Sequence, residues 1–341
     1  MRNGDRGQYG AAMSTKIRLI GPDDAQDGEL LDALARLLAT RHQAHRVTAP
    51  LLDPGYEEAA VCREHLGAQL SDENVSGAVA VREGRTVGYL IGRTGDGPPW
   101  GPSVWMESGA VASQDAETVR DLYAAAAQSW VDAGKVAHYV LVPASSAALV
   151  DGFFRLGFGL QHVHGVREPA RREALPGITI RRADRADIPV LAELDRELPL
   201  HQGRSPVFSA GHLPTLDEAR EEWEEDWGDD RFTTFVAVLD GEPDGAVLGS
   251  AIACPLELSS LHRGPALADH SGFLGFAAVL PAARGRRIGR ALGEAVIDWS
   301  ARSGYRSVAT DWRATNLLSS RTWPRLGFEP TFLRLHRLVG H

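Results

Sequence analysis

The chain has 341 residues, 43% of them hydrophobic and 24% charged, and a formal net charge of −9. That length predicts two domains, each with enough apolar residues for a core of its own. The acidic balance excludes general nucleic-acid binding, because a phosphate backbone would be repelled by most of this surface. In chain order, residues 1–15 are Gly-rich and polar and predict a disordered lead-in without an apolar signal core, with Met13 a candidate start. The stretch "KIRLIGPDDAQDGELLDALARLL" (16–38) reads as a short strand, an acidic turn and a helix with apolar residues at helical spacing. Strands are expected at 76–83, 86–93 and 104–112, then a helix at 115–133, the strand "HYVLVPAS" and the segment "ALVDGFFRLGF". "REPARREALPG" (167–177), with two prolines and a charge run, suits a linker. Beyond it come a strand at 178–182, a helix near 186–197, a loop carrying "HQGRSPVF" and a very acidic helix at 215–227. Strands at 232–239 and 246–254 flank the hairpin signal "GEPDG". A strand at 272–279, a helix ending near 302, a strand at 307–312, a short helix at 316–325 and the strand "TFLRLHRL" complete the chain. The pattern predicts an α/β chain with mixed, mostly antiparallel sheets flanked by helices.

The chain also repeats itself. "FFRLGF" (153–158) answers "WPRLGF" (323–328), and "RHQAHRVTAP" (41–50) answers "LHQGRSPVF" (200–208). The opening segment at 16–38 parallels "ITIRRADRADIPVLAELDREL" (178–198). Two tandem units follow, at 16–168 and 178–341, joined by a linker at 169–177.

Residues 284–292, "RGRRIGRAL", place four arginines within seven positions at a predicted helix start. Each cation there is unfavourable by about 0.3–1 kcal/mol, since a helix N-terminus already carries partial positive charge. An anion held among them reverses that sign, and free N–H groups at a helix start form an anion site. Gly285 and Gly289 remove side chains that would keep a diphosphate from those groups. The GK[ST] of a Walker loop and the GxGxxG dinucleotide fingerprint are both absent.

What remains, Arg286-Arg287-Ile288-Gly289-Arg290-Ala291 after the strand end Val279-Leu280-Pro281, has the form R-x-x-G-x-[GA]. Here the sequence resembles the Gcn5-related N-acetyltransferases, whose strand-to-helix turn of this form binds the pyrophosphate of acetyl-CoA. "GFAAV" (275–279), "TDWRATN" (310–316) and "WPRLGF" are similar to further family segments in the same order. The resemblance covers most of 178–341. It implies acetyl-CoA as co-substrate and no metal. The strand Ala277, Ala278 and Val279 would lie along pantetheine, and Arg284, Gly285, Arg286, Arg287, Ile288, Gly289, Arg290 and Ala291 would surround the pyrophosphate. Asn316 would reach the thioester end or, on the plainer reading, cap a helix. The first unit reads "VASQDAETVRDLY" (111–123) at the corresponding place, without the glycines and with Asp115 and Glu117 opposing an anion. It resembles a degenerate copy, which leaves one working site per chain.

The resemblance implies direct attack of a primary amine of a small molecule on the thioester. Where relatives often place a tyrosine acid, this chain has Trp323, whose indole donates a hydrogen bond but no proton. Candidates for the base are His270, with Asp269 beside it, and Glu222 or Glu225 on the acidic helix. That helix also reads as a solvated face. Asp311 holds a position where the family often has an acid, with packing the other reading. His201 repeats at His42, which favours a structural role for both. A CoA-binding sensor without turnover is the alternative class; within the enzyme class, a mycothiol-synthase-like or a protein acetyltransferase is the alternative. Cys62 and Cys254 lack partners at disulfide or metal-ligand spacing and read as buried thiols of a cytoplasmic protein. No segment approaches the roughly 18 apolar residues of a membrane span. No nucleic acid or membrane partner is expected, and the chain is expected as a monomer or homodimer.

Overall fold

The structure, a computed structural model, describes residues 15–172, 175–209, 211–241 and 245–340. The lead-in up to residue 14, with Met13, and the centre of the "GEPDG" turn lie outside the described residues. The N-terminal half runs β1 (Lys16–Ile20), α1 (Gly28–Arg46), α2 (Ala59–Leu70), β2 (Val75–Arg82), β3 (Arg85–Gly95), β4 (Ser103–Met106), β5 (Val111–Ser113), α3 (Ala116–Asp132), β6 (Ala137–Pro143), α4 (Ala147–Arg155) and β7 (Gly159–Arg167). The C-terminal half runs β8 (Ile178–Arg182), α5 (Ile188–Gln202), α6 (Leu216–Asp226), β9 (Thr233–Leu239), β10 (Val247–Pro255), β11 (Ser271–Val279), α7 (Ile288–Arg302), β12 (Ser307–Arg313), α8 (Ser319–Arg325) and β13 (Glu329–Leu338).

Local chemistry sets most of these boundaries. The Asp27 carboxylate accepts from Leu30 N and starts α1, while Thr215 and Glu218 form a reciprocal capping box on α6. The strand expected at 104–112 is two strands instead. A turn closed by Ala110 N donating to Glu107 O separates β4, which pairs with β6, from β5, which pairs with β3. The helix expected to end near 197 runs on to Gln202, so the first two residues of the expected loop, His201 and Gln202, belong to α5. Strand β7 and helix α2 were not among the sequence expectations.

All strands join one mixed sheet in the order β1-β2-β3-β4-β6-β13-β7-β12-β11-β10-β9-β8, with β5 paired to β3 off this path. Among the described strands only β4–β6 and β11–β12 are parallel, one such pair in each half. Beside these pairs the halves exchange their last strands. Strand β13 completes the N-terminal sheet against β6, and β7 completes the C-terminal sheet against β12. The two exchanged strands pair with each other and form the seam. The cores follow the exchange: Leu335 of β13 is buried in the N-terminal core and Val163 of β7 in the C-terminal core. Returning from β7 to β8, five strands away, the linker crosses α7, where Arg171 and the backbone N–H of Arg172 both meet Asp298.

The unit boundaries read from the sequence therefore mark the repeat, whereas the sheet interleaves the two units. Close packing at the seam makes this testable. A Cβ added at Gly165 of β7 would lie 2.6 Å from Trp312 Cζ3 of β12. Gly165→Ala should lower stability by about 1–3 kcal/mol through overpacking. Chemical denaturation of the whole chain checks this, and an unchanged midpoint would contradict the contact.

Candidate functional site

Strand β11 is bonded to β10 along its whole length, but to β12 only as far as Leu274 opposite Thr310. The Thr310 hydroxyl donates to Leu274 O at 2.9 Å and closes that ladder. The register with β10 then slips between Ile252 and Ala253, leaving Gly275 as an unpaired bulge that turns β11 aside. Strand β12 keeps its direction because residues 311–313 are bonded to β7. A cleft of about 440 Å³ opens between the diverging strands, and Ala277, Ala278 and Val279 line one wall.

At its mouth the chain turns through Pro281–Ala283 into the start of α7. Gly285 has φ +81° and Arg287 has φ +65°, both left-handed, a strained state for a residue with a side chain. Among the described residues no side chain caps α7, so its first N–H groups have no side-chain acceptor there. A Cβ at Gly289 would find only Val279 Cγ2, at 3.8 Å. The fold itself therefore does not require glycine at 289; open space in front of the helix start does. The N-terminal half fills the matching place with its own groups. The Asp115 carboxylate caps α3 by accepting from Thr118 N at 2.7 Å. The buried Arg41 guanidinium donates to Val111 O and Ser108 O. In that half the anion position and the neighbouring carbonyls are already satisfied.

Among the arginines of this segment, Arg284 pairs with Glu197 at 3.0 Å and donates to Val279 O at 3.3 Å. Arg290 pairs with Glu294 at 2.8 Å along α7. Both line the cleft, as do Gly285, Arg287, Ile288 and Gly289. Ala291 is turned into the core, and Arg286 stands exposed on the loop outside the lining. Asn316 shows the capping contact of the plainer reading and also faces the cleft. Its Oδ1 accepts from Leu318 N at 3.1 Å, capping the turn before α8, and it lines the cleft within 3.1 Å of His201 Nε2. His42 instead is fully buried, with Nε2 2.8 Å from Asp53 O, so the two repeated histidines have different surroundings.

Trp323 also lines the cleft, packed among Phe328, Leu326 and Gly293. The other sequence candidates for chemistry lie elsewhere. His270 is exposed at the start of β11 against Tyr305, and Asp269 pairs with Arg306. Glu225 is exposed, and Glu222 lines a separate cleft of about 360 Å³ with Asp195, Trp223, Asp226 and Trp227. The acidic helix thus borders this second space and not the one holding Trp323. Cys62 and Cys254 are buried free thiols, each pushed up to about 11 by burial.

A titratable cluster was not legible in the sequence. Asp311 of β12 lines the cleft, with Oδ1 3.3 Å from His162 Nε2 of β7 and Oδ2 3.9 Å from His262 Nδ1. Burial raises the Asp311 carboxyl to about 6 against the opposing pull of Arg334 and Arg313. Burial, with help from neighbouring cations, holds His162 and His164 well below the usual imidazole value and His262 at about 3. The alternation His162-Val163-His164 was the available signal, since period two puts both imidazoles on one face of a strand.

Eight histidines (42, 45, 65, 138, 162, 164, 262 and 336) are lowered mainly by burial. As pH falls through about 6.5 the unfolded chain takes up these protons and the folded chain does not, so stability should fall. Asp195 and Asp311, raised to about 6, act in the opposite direction but are two groups against eight. Thermal unfolding measured from pH 7.5 down to 5 should show a falling midpoint; a flat or rising one would contradict burial of these imidazoles.

Residues 199–328 match the acetyltransferase (GNAT) family. Among solved structures, a GCN5-related N-acetyltransferase from Sphaerobacter thermophilus aligns over 96% of both chains, at 17% identity and a TM-score of 0.56. A GCN5-related glucosamine N-acetyltransferase region of a fungal multi-domain GH3 β-N-acetylglucosaminidase covers 96% of this chain and 38% of its own, at 16% identity and a TM-score of 0.51. Both alignments span the two halves and share the fold. Among curated proteins, none matches. No described helix is long and apolar enough to cross a membrane.

Proposed function

Taking this chain as an acetyltransferase of the GNAT type, the family to which residues 199–328 belong, we propose that it moves an acetyl group from acetyl-CoA to the primary amine of a small molecule. The site is the cleft between β11 and β12. The observation that carries this reading is the uncapped start of α7 at the mouth of that cleft, with left-handed Gly285 and Arg287 and open space before Gly289. These groups suit a diphosphate: N–H donors, a cation at Arg287 and no Cβ in the approach. Acetyl-CoA bound there supplies the activated acetyl group.

The chain's own residues do the rest. The edge of β11 at 277–279, unpaired toward the cleft, offers peptide groups to an extended amide chain in the manner of an added strand. Asn316 and His201 stand together in the lining and can orient the acceptor by hydrogen bonds. Trp323 forms wall and core and delivers no proton. The net charge of −9 favours a cationic amine over an acidic acceptor.

Calorimetric titration should give one CoA per chain, since the N-terminal counterpart is filled by Asp115 and Arg41; two would contradict that assignment. Gly289→Leu should reduce CoA affinity at least tenfold while leaving the melting temperature unchanged, because the added side chain meets open space. Thiol release from acetyl-CoA should be seen with at least one amine among glucosamine, spermidine and kanamycin. Tight CoA binding with no release for any primary amine would favour the sensor reading.

A further inference from the structure

Strand alternation places Asp311 and Arg313 of β12 and His162 and His164 of β7 on one face of the sheet. Arg334 of β13 lies opposite His162 in the next ladder and shares that face. His262, from the chain before β11, covers the group, its ring tilted over that of His164 at 4.3 Å between centroids. Three strands and a loop from both halves therefore converge on one carboxylate. Of this cluster, Asp311, His162 and Arg313 reach the cleft lining.

Several polar atoms of the cluster have no hydrogen-bond partner among the described residues. His162 Nδ1, His262 Nε2 and both ring nitrogens of His164 are buried without a hydrogen-bond partner. Arg334, 3% exposed, leaves Nε and Nη1 without an acceptor and rests over the Trp100 and Trp105 rings. Burying such groups unpaired is unfavourable, most of all for charged ones. Asp311 keeps 16% of its side chain open, and it lines the cleft.

We propose that Asp311, approached at 3.3 Å by His162 Nε2 from the N-terminal half, accepts the proton of the acceptor's ammonium in the cleft. This rests on the reading of the cleft as an amine acetyltransferase site. In the step, the ammonium N–H bond breaks, its electron pair stays on nitrogen, and an O–H bond forms on Asp311. The neutral amine is then the nucleophile. His162 acts as a positioning residue, and His262, with Nδ1 2.9 Å from Ser259 Oγ, flanks the second carboxylate oxygen. The groups facing Asp311 are His162 and His164 on β7, Arg313 on its own strand, Arg334 on β13 and His262 on the loop. Tyr139 of β6 stands near Arg313 and Arg334, and His201 of α5 shares the cleft. The degenerate half would then supply part of the chemistry through its exchanged strand.

The test uses the full chain. Asp311→Asn should lower kcat at least a hundredfold, in the range of lost general-base catalysis, with CoA affinity unchanged. The wild-type kcat/KM should rise with pH through a midpoint near 6, and His162→Gln should move that midpoint, which a merely structural histidine would not do. Independently of turnover, the γ-carboxyl ¹³C resonance lost in Asp311→Asn should titrate near 6 in the wild type and shift in His162→Gln. A kcat within threefold of wild type, or a carboxyl midpoint in the ordinary carboxylate range, would overturn the proposal. Failure of the wild type to bind CoA would instead strike the reading of the cleft, and the carboxyl titration still decides the state of Asp311.

Discussion

Beyond Thr310, strand β12 is hydrogen-bonded on one side only, and that side belongs to β7 from the other half of the chain. This ladder is what the rest of the site depends on. It holds β12 straight while the bulge at Gly275 turns β11 away, and the space between them is the cleft. Without β7, residues 311–313 would present unpaired peptide groups on both edges, an arrangement a folded chain does not leave open to water and neighbours. The exchanged partner, β13, does the same for β6, so neither half has a complete sheet alone.

The two halves keep the same plan and differ where it matters for an anion. In the C-terminal half a left-handed arginine and an uncapped helix leave donors without a described side-chain acceptor; in the N-terminal half an aspartate caps its own helix. The same helix-start electrostatics operates in both. An internal carboxylate satisfies it in one half, and no described side chain does so in the other. Arg41 extends the contrast by filling the carbonyls of the N-terminal counterpart. At the repeated position "LHQ", the C-terminal half carries Leu200 in place of Arg41.

Much of this was legible in the residues themselves. The repeat, the contrast between "RGRRIGRAL" and "SQDAETVRD", and most helices and strands follow from periodicity, capping and local charge. The reading went astray where a contact came from far along the chain. His270 and the acidic helix looked well placed in sequence, yet they fold away from the cleft, and His201, discounted because His42 repeats it, lines it. The duplicated histidines could not be told apart, because their partners, Asp53 O and Asn316 Oδ1, lie 11 and 115 residues away.

The sequence by itself determined most of the elements, the repeated segments and the arginine-rich helix start that we propose as an anion site, since each rests on groups within a few residues of one another. Only the tertiary structure decided which strand sits beside which. Hydrogen-bonding edges carry no address in local sequence, and β7 and β13 are related copies with equivalent edges. The exchange brings His162 to Asp311 across 149 positions of the chain. That is a distance over which only the closed sheet, and no local pattern, specifies contact.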